Sequence, residues 1–427
     1  MTVKIGLVGT GTVGGGCIDI ILAHQEDFKK HYGIDIELAR VCSLDKAQAD
    51  AHGVGHLFTN DFNEIINDPD IDIVIELIGG TTFARTVVTK ALSAGKHVVT
   101  ANKALMATYG EEIMDLAEAN GREILFEASV GGGIPIIDPL KHSLIANEIT
   151  SVMGIVNGTT NYMLTRMVET GMSYDDALKE AQMLGYAEAD PTADVDGHDA
   201  AAKIAILASI AFNSRVTIDD VYTEGIRNIT PTDLDAAADM GYCVKLLAIG
   251  NRTAKGVDVR VHPTMIPATH QLSNVNGVMN AIYVIGDAVG ETMFFGAGAG
   301  SGPAASAVMG DVLEMARHIQ MGTGPLVGCT CTDNLPIVPI DELETKYYIR
   351  FTVVDRPGVL ASVARVFADH GVSLYSVVQR GKKDEHEVDL LYVTHTATEK
   401  AIRDALVDIA KLEDVLQKEP SLIRVED

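Results

Sequence analysis

The sequence predicts an α/β chain. An open, doubly wound parallel sheet comes first, an α+β region follows, and a small β-α-β-β-α-β unit ends the chain. Three observations carry this. Short apolar runs alternate with helical stretches as far as residue 130. The turn Gly9-Thr10-Gly11-Thr12-Val13-Gly14 sits between the first apolar run and the first helix. After an aperiodic stretch at 322–339, residues 346–427 take up the alternation again in compact form.

Val3–Val8 reads as a buried parallel strand, and residues 17–28 as the helix after the glycine turn. In that context the glycines permit a sharp turn and close backbone approach to a pyrophosphate, which the helix dipole favours. Strands are expected at 34–42, 71–78, His97–Thr100 and 124–130, with helices at 84–96 and 111–120. The second strand ends Cys42-Ser43-Leu44-Asp45-Lys46, which carries neither the acidic NAD signature nor the basic NADP one. Lys103 follows the strand that ends at Thr100, on the side where ligands of such sheets bind. By residue type alone, a surface lysine in a loop is the favoured reading.

Gly131-Gly132-Gly133 then suits either a hinge or a set of inward carbonyls for a hard monovalent cation. Helices are expected at 136–145, 162–169 and 174–184, and strands at 149–156, 257–263 and 281–286. A second glycine-rich loop, 296–302, leads into a helix at 304–319. That helix either returns to the first sheet near a cofactor or merely connects. The terminal unit should have strands at 347–353, 372–378, 388–394 and 415–424, helices at 359–369 and 399–410, and a charged turn at 381–387.

Composition narrows the function classes. The chain has 427 residues, which suggests two to three domains, and a net charge of −26, which argues against nucleic acid or a membrane surface as partner. No apolar run would span a bilayer and no secretory leader is evident, so a cytoplasmic location is expected. Five scattered cysteines imply no disulfide framework, and Cys329-Thr-Cys331 is a weak zinc signal without a partner pair.

The most informative stretch is 184–212. Five carboxylates, Glu188, Asp190, Asp194, Asp196 and Asp199, lead into an Ala/Ile/Leu helix whose one cation is Lys203. Asp199 and Lys203 share a helix face, and a lone lysine there is costly unless paired. On these residues alone a structural ion pair and a functional acid are both open readings.

The consecutive segments GTGTVG, VVTANK, EASVGGGIP, NGTTNYML and LGYAEADPTADVDGHDAAAK resemble homoserine dehydrogenase, in its monofunctional form with a C-terminal regulatory domain. The segment Asp355-Arg356-Pro357-Gly358 with its surroundings resembles an ACT domain. The resemblance implies a Rossmann-type dinucleotide domain at 1–134, completed by about 300–320. It further implies a catalytic and dimerisation domain at 135–320, a linker at 321–345 and an ACT domain at 346–427. The implied reaction is NAD(P)H-dependent reduction of L-aspartate 4-semialdehyde to L-homoserine, toward threonine, methionine and isoleucine.

Carried over by position, Lys203 is implied as proton donor. Lys103 contacts cofactor and substrate, and Glu188, Asp199 and Asp194 serve the substrate. Gly9, Gly11, Thr12, Val13, Gly14, Gly185 and Gly300 lie by the cofactor, NADP or NAD. Glu127, Val130, Gly132 and Ile134 hold a monovalent cation, sodium, through carbonyl oxygens. Cys42-Ser43 departs from the Arg-Asp of many relatives, which puts NADP preference in question. An amino-acid effector, threonine, and a homodimer or homotetramer are also implied.

Two other readings fit parts of the sequence. An enzyme like aspartate-semialdehyde dehydrogenase needs a nucleophilic cysteine, and no cysteine here has an evident base beside it in sequence. A non-catalytic amino-acid sensor would not be expected to keep both Lys203 and Glu188.

Overall fold

The computed structural model describes residues 1–324, 328–381 and 386–426. Its first part runs β1 (Val3–Val8), α1 (Thr12–Tyr32), β2 (Ile36–Cys42), α2 (Lys46–Ala51), β3 (Phe58–Thr59), α3 (Asn63–Ile66), β4 (Ile73–Glu76), α4 (Thr82–Ser93), β5 (His97–Thr100), α5 (Lys103–Ala119) and β6 (Ile124–Leu125). The six strands form one sheet in the order β3-β2-β1-β4-β5-β6, all parallel. The order reverses between β1 and β4, so a crevice opens at the carboxyl ends there, which is where dinucleotides bind in such sheets.

The second part contains β7 (Ile149–Ile155), α6 (Gly158–Thr170), α7 (Tyr174–Met183), α8 (Thr192–Val195), α9 (His198–Ala211), β8 (Tyr222–Thr223), α10 (Pro231–Asp239), β9 (Tyr242–Thr253), β10 (Gly256–Pro267), β11 (Met279–Gly286), β12 (Gly290–Ala297) and α11 (Ser301–Met321). Helix α9 is buried on nearly every face, against β9, β10 and α5, as its Ala/Ile/Leu composition requires. Helix α11 returns to the first part and lies along α1.

The last part is β13 (Glu344–Val354), α12 (Val359–Asp369), β14 (Leu374–Arg380), β15 (Glu387–Thr394), β16 (Ala397–Thr398), α13 (Glu399–Ile409) and β17 (Ser421–Val425). Its β-α-β-β-α-β order, the short β16 aside, is the one expected. Its own core centres on Phe351, Phe367 and Tyr392, whose rings lie 5.6–6.1 Å apart. The strands of the second and last parts form one continuous sheet, β12-β11-β7-β9-β10-β17-β13-β15-β14. The outer flank of β10 is shared by three short segments: Ile337 opposite Val257, β8 opposite Arg260 and Val261, and β17 opposite Thr264 and Met265.

Several expectations are corrected. Helix α1 begins at Thr12, inside the glycine turn rather than after it. The strand expected at 124–130 stops at Leu125, because the Glu127 amide donates to Asp311 Oδ2 at 2.8 Å instead of to a strand. The Glu127 carboxylate then gathers the amides of Ile136, Ile137 and Asp138 at 2.6, 2.9 and 2.6 Å. The helix expected at 136–145 is a π-turn, Pro139–Ser143, closed by Leu144 N to Pro139 O at 2.8 Å. Lys103 stands on the first turn of α5 and not in a loop; the Asn102 side chain caps that helix by accepting from Leu105 N at 3.1 Å. Strands β9 and β12 were not expected. The turn at 381–387 lies largely outside the described residues.

Candidate active site

The nucleotide side of the site is built by the first turn. Gly9 has φ +107° and a Cβ there would sit 2.6 Å from Leu77 O. A Cβ on Gly14 would meet Gly9 O at 1.9 Å, so only glycine lets helix and turn approach this closely. Gly11 and Gly300, the N-cap residues of α1 and α11, offer no side-chain cap, which leaves the first-turn amides free for an anion. The two helix starts are tied by Ser301 Oγ donating to Thr12 O at 2.8 Å. Asp45 is occupied as the N-cap of α2, accepting from Ala47 N at 2.8 Å. At the floor, fully buried Glu76 accepts from Ile78 N and Thr100 Oγ1 at 2.8 and 2.7 Å. Thr100 Oγ1 in turn receives Asn102 N at 3.0 Å, which fixes the strand end from which Lys103 projects.

Across a cleft of about 550 Å³ stands the second half. Asp199 and Lys203, one turn apart on α9, meet at 2.7 Å, and Lys103 reaches the other Asp199 oxygen at 2.8 Å. Lys203 also donates to Val156 O at 2.6 Å. An ammonium has three N–H donors, so among the described residues Lys203 keeps one unspent, and Lys203 lines the cleft. The Asn157 amide joins the cluster. Its nitrogen donates to Asp194 Oδ1 at 2.7 Å and Asp199 Oδ2 at 2.9 Å, while its oxygen caps α6 by accepting from Thr160 N at 2.9 Å.

Burial opposes charge on Asp199, yet attraction to Lys203 and Lys103 holds its carboxyl well below the usual range. Burial likewise opposes the Lys103 ammonium, and Asp199, Asp194 and Glu188 outweigh it, so its pKa is raised. Both groups are therefore ionised at neutral pH.

Of the residues expected from sequence, Val13, Lys103, Gly132, Gly185, Asp194, Asp199, Lys203 and Gly300 line this one cleft. Gly9, Gly11, Thr12 and Gly14 shape its glycine turn. Glu188 is exposed, does not line the cleft, and follows it beyond Gly185. Glu127, Val130 and Ile134 are buried beneath the glycine run. Asn157 was missed as a site residue; an Asn at a helix start reads as a cap, and only the fold shows its second role. Also unforeseen, ligand atoms of Asp138, His142 and Glu314 lie within 4.8 Å of one another. Cys329 and Cys331 find no third His, Cys or carboxylate ligand among the described residues, so the zinc signal has no support there.

A parallel sheet with an uncapped glycine turn, facing a lysine that keeps a free donor, defines a nicotinamide-dinucleotide oxidoreductase. Comparison with known proteins agrees. Residues 9–127 match the homoserine dehydrogenase NAD-binding domain, residues 135–313 the homoserine dehydrogenase family and residues 347–411 the ACT domain. The chain is 46% identical to homoserine dehydrogenase of Synechocystis sp. over 434 aligned residues, covering 100% of both chains. The crystal structure of a homoserine dehydrogenase from Thiobacillus denitrificans superposes with a TM-score of 0.94 at 42% identity, covering 100% of this chain and 99% of that one. A hyperthermophilic archaeal homoserine dehydrogenase in complex with NADPH matches 74% of this chain and 98% of its own, at 27% identity and a TM-score of 0.64. The chain belongs to the homoserine dehydrogenase family. Among the described residues no helix is long and apolar enough to cross a membrane.

Proposed function

We propose that this enzyme reduces L-aspartate 4-semialdehyde to L-homoserine, with Lys203 as the proton donor. The observation that carries this is Asp199 bridging Lys103 and Lys203 at 2.8 and 2.7 Å while Lys203 retains one donor at the cleft. The bound nicotinamide supplies the hydride. Negative charge then develops on the aldehyde oxygen, where a positioned ammonium stabilises it and gives up a proton. Asp199 orients both lysines, Asn157 orients Asp199 and Asp194, and Glu188 at the rim receives the substrate's α-ammonium. Lys103, near both halves of the cleft, contacts the cofactor and the substrate carboxylate.

Gly9, Gly11, Thr12, Val13 and Gly14 cradle the pyrophosphate, NADP or NAD, and Gly185 and Gly300 close over the cofactor. The carbonyls of Glu127, Val130, Gly132 and Ile134 would hold a sodium ion. The three from Val130, Gly132 and Ile134 accept from no backbone amide of the described residues, which suits that use. We read residues 1–134 with 300–320 as the dinucleotide domain, 135–320 as the catalytic and dimerisation domain, and 346–427 as the regulatory domain. A cavity of about 320 Å³ at Asp355-Arg356-Pro357-Gly358 suits an amino-acid effector such as threonine. Exposed Tyr375, Val377 and Val378 on the outermost strand suit pairing between copies in a homodimer or homotetramer.

The test is to follow NADPH and NADH absorbance with aspartate semialdehyde, and reduction of NADP and NAD with homoserine. Turnover in both directions that is lost in Lys203→Ala supports the reading. Wild-type turnover in that variant removes Lys203 from the mechanism.

A further inference from the structure

One polar side chain on the wall of the catalytic cleft has no partner. Asn280, near the start of β11, lines the cleft although it is only 1% exposed. Its Oδ1 is fully enclosed and accepts no hydrogen bond, and its Nδ2 donates to no group among the described residues. Asn157, in the same cleft, has its nitrogen on Asp194 and Asp199 and its oxygen on Thr160 N. A buried carboxamide with both ends unpaired is costly, and the natural remedy in a binding cleft is a ligand that supplies both partners.

The backbone fixes where this amide stands. Asn280 pairs with Gly296 of β12, and the chain then passes it through Gly298 to Gly300, the N-cap of α11. A Cβ on Gly298 would lie 1.9 Å from Asn280 Nδ2, 2.2 Å from its Cγ and 2.7 Å from its Oδ1. The flat face of the carboxamide therefore rests on Gly298, where no side chain could fit. On its other flank, a Cβ on Gly158 would stand 3.7 Å from Asn280 Oδ1. The amide is thus built into the loop whose end leaves first-turn amides free for the cofactor's phosphates.

We propose that Asn280 binds the carboxamide of the nicotinamide ring, its Nδ2 donating to the ring's amide oxygen and its Oδ1 accepting from the ring's amide nitrogen. The inference rests on the reduction proposed above and deepens it. In that reading the aldehyde oxygen meets Lys203, the substrate's α-ammonium meets Glu188 and its carboxylate meets Lys103. The nicotinamide carboxamide is the polar group at the reacting end still without a partner. It carries an acceptor beside N–H donors, the complement of a free Asn side chain. A carboxylate would satisfy Nδ2 alone, and an ammonium Oδ1 alone. The last side-chain torsion of Asn is soft, so a turn about it brings Oδ1 out of its enclosure to the ligand.

Titration calorimetry on the full chain without substrate tests this, using whichever of NADPH and NADH the wild type binds more tightly. Asn280→Ser should raise the Kd of that coenzyme about tenfold, as the loss of one or two neutral hydrogen bonds implies. The Kd of the matching ADP-ribose, which lacks the nicotinamide, should hardly move. The wild type should bind the reduced 3-acetylpyridine analogue, in which a methyl group replaces the amide nitrogen, several-fold more weakly than the parent coenzyme. Asn280→Ser should bind the two alike. The wild-type comparison needs no variant to fold, and equal affinity for parent and analogue there would overturn the assignment. So would an Asn280→Ser protein that loses affinity for ADP-ribose equally, or one that keeps its coenzyme affinity and raises only the KM for homoserine. A wild type that binds neither coenzyme would sink the proposed reaction along with this contact.

Discussion

Two kinds of buried charge cluster are found in the molecule, and they are built on opposite plans. In the cleft, two ammoniums share one carboxylate, and Lys203 leaves a donor unspent on the open side. At the seam between β10 and the terminal unit, Arg424 is fully buried and each of its guanidinium nitrogens has a protein acceptor. Its Nε meets Glu399 at 2.8 Å, its Nη1 meets Glu224 at 2.6 Å, and its Nη2 reaches Glu399, Glu224 and Tyr222. Arg260 pairs with Asp258 and Glu426 in the same way, and Arg350 with Asp233 at 2.7 and 3.0 Å. A cluster whose cations are enclosed by protein acceptors holds surfaces together; one with a donor left over at an open cleft can act on something else. Burial alone does not separate them.

Four substitutions put this contrast at risk. The largest effect should come from Arg424→Met, which among the described residues leaves Glu399 only Arg403 and Glu224 only the Tyr222 hydroxyl as partners. About 3–5 kcal/mol of stability should go, read by denaturant unfolding, with little change in turnover of what remains folded. A loss below about 1 kcal/mol would mean that the seam is wet and weak. Next is Lys203→Ala. It should lower kcat by about a hundredfold to a thousandfold, with cofactor Kd nearly unchanged, because only the charge-stabilising donor is removed. A loss confined to KM would make it a binding group.

Glu188→Gln should raise the homoserine KM by about tenfold at nearly constant kcat, since one charge-assisted contact is worth roughly 1.5–3 kcal/mol. An unchanged KM would move the ammonium site elsewhere. The smallest effect concerns pH. Asp199 is held below its unfolded value of about 3.9, so it adds stability above that pH and loses it as pH falls through the folded value. Asp199→Asn should therefore flatten the fall of Tm below about pH 4. An acid limb of unchanged slope would show that the lysines do not hold that carboxyl down.

The chain showed much of this in its letters, and unevenly. His97–Thr100 and Val359–Asp369 stand where the periodicity put them because burial on both faces, or on one helical stripe, leaves a strong pattern. Asp199 and Lys203 do meet across one helical turn. Strand β9 escaped because its Val244-Lys245-Leu246-Leu247-Ala248-Ile249 run has no period that separates strand from buried helix. The shortened β6 escaped because its cause is Asp311, 184 positions away. Asn157 was hidden in the same way: its partners Asp194 and Asp199 lie 37 and 42 positions on. The continuous sheet could not be read at all, since no local pattern says which strands from two units become neighbours.

The shared flank of β10 has a practical consequence. Cutting the chain near Pro339 would remove β17 and the Arg424 network together. Twelve residues of β10 would then keep only part of their cover along that side. Unpaired amides and carbonyls on a sheet margin recruit foreign strands, so such a fragment should precipitate or form higher assemblies before it reports anything about regulation. Sensitivity to an amino acid is better dissected in the intact chain, at Asp355 and Gln379, which meet at 3.2 Å beside the terminal cavity.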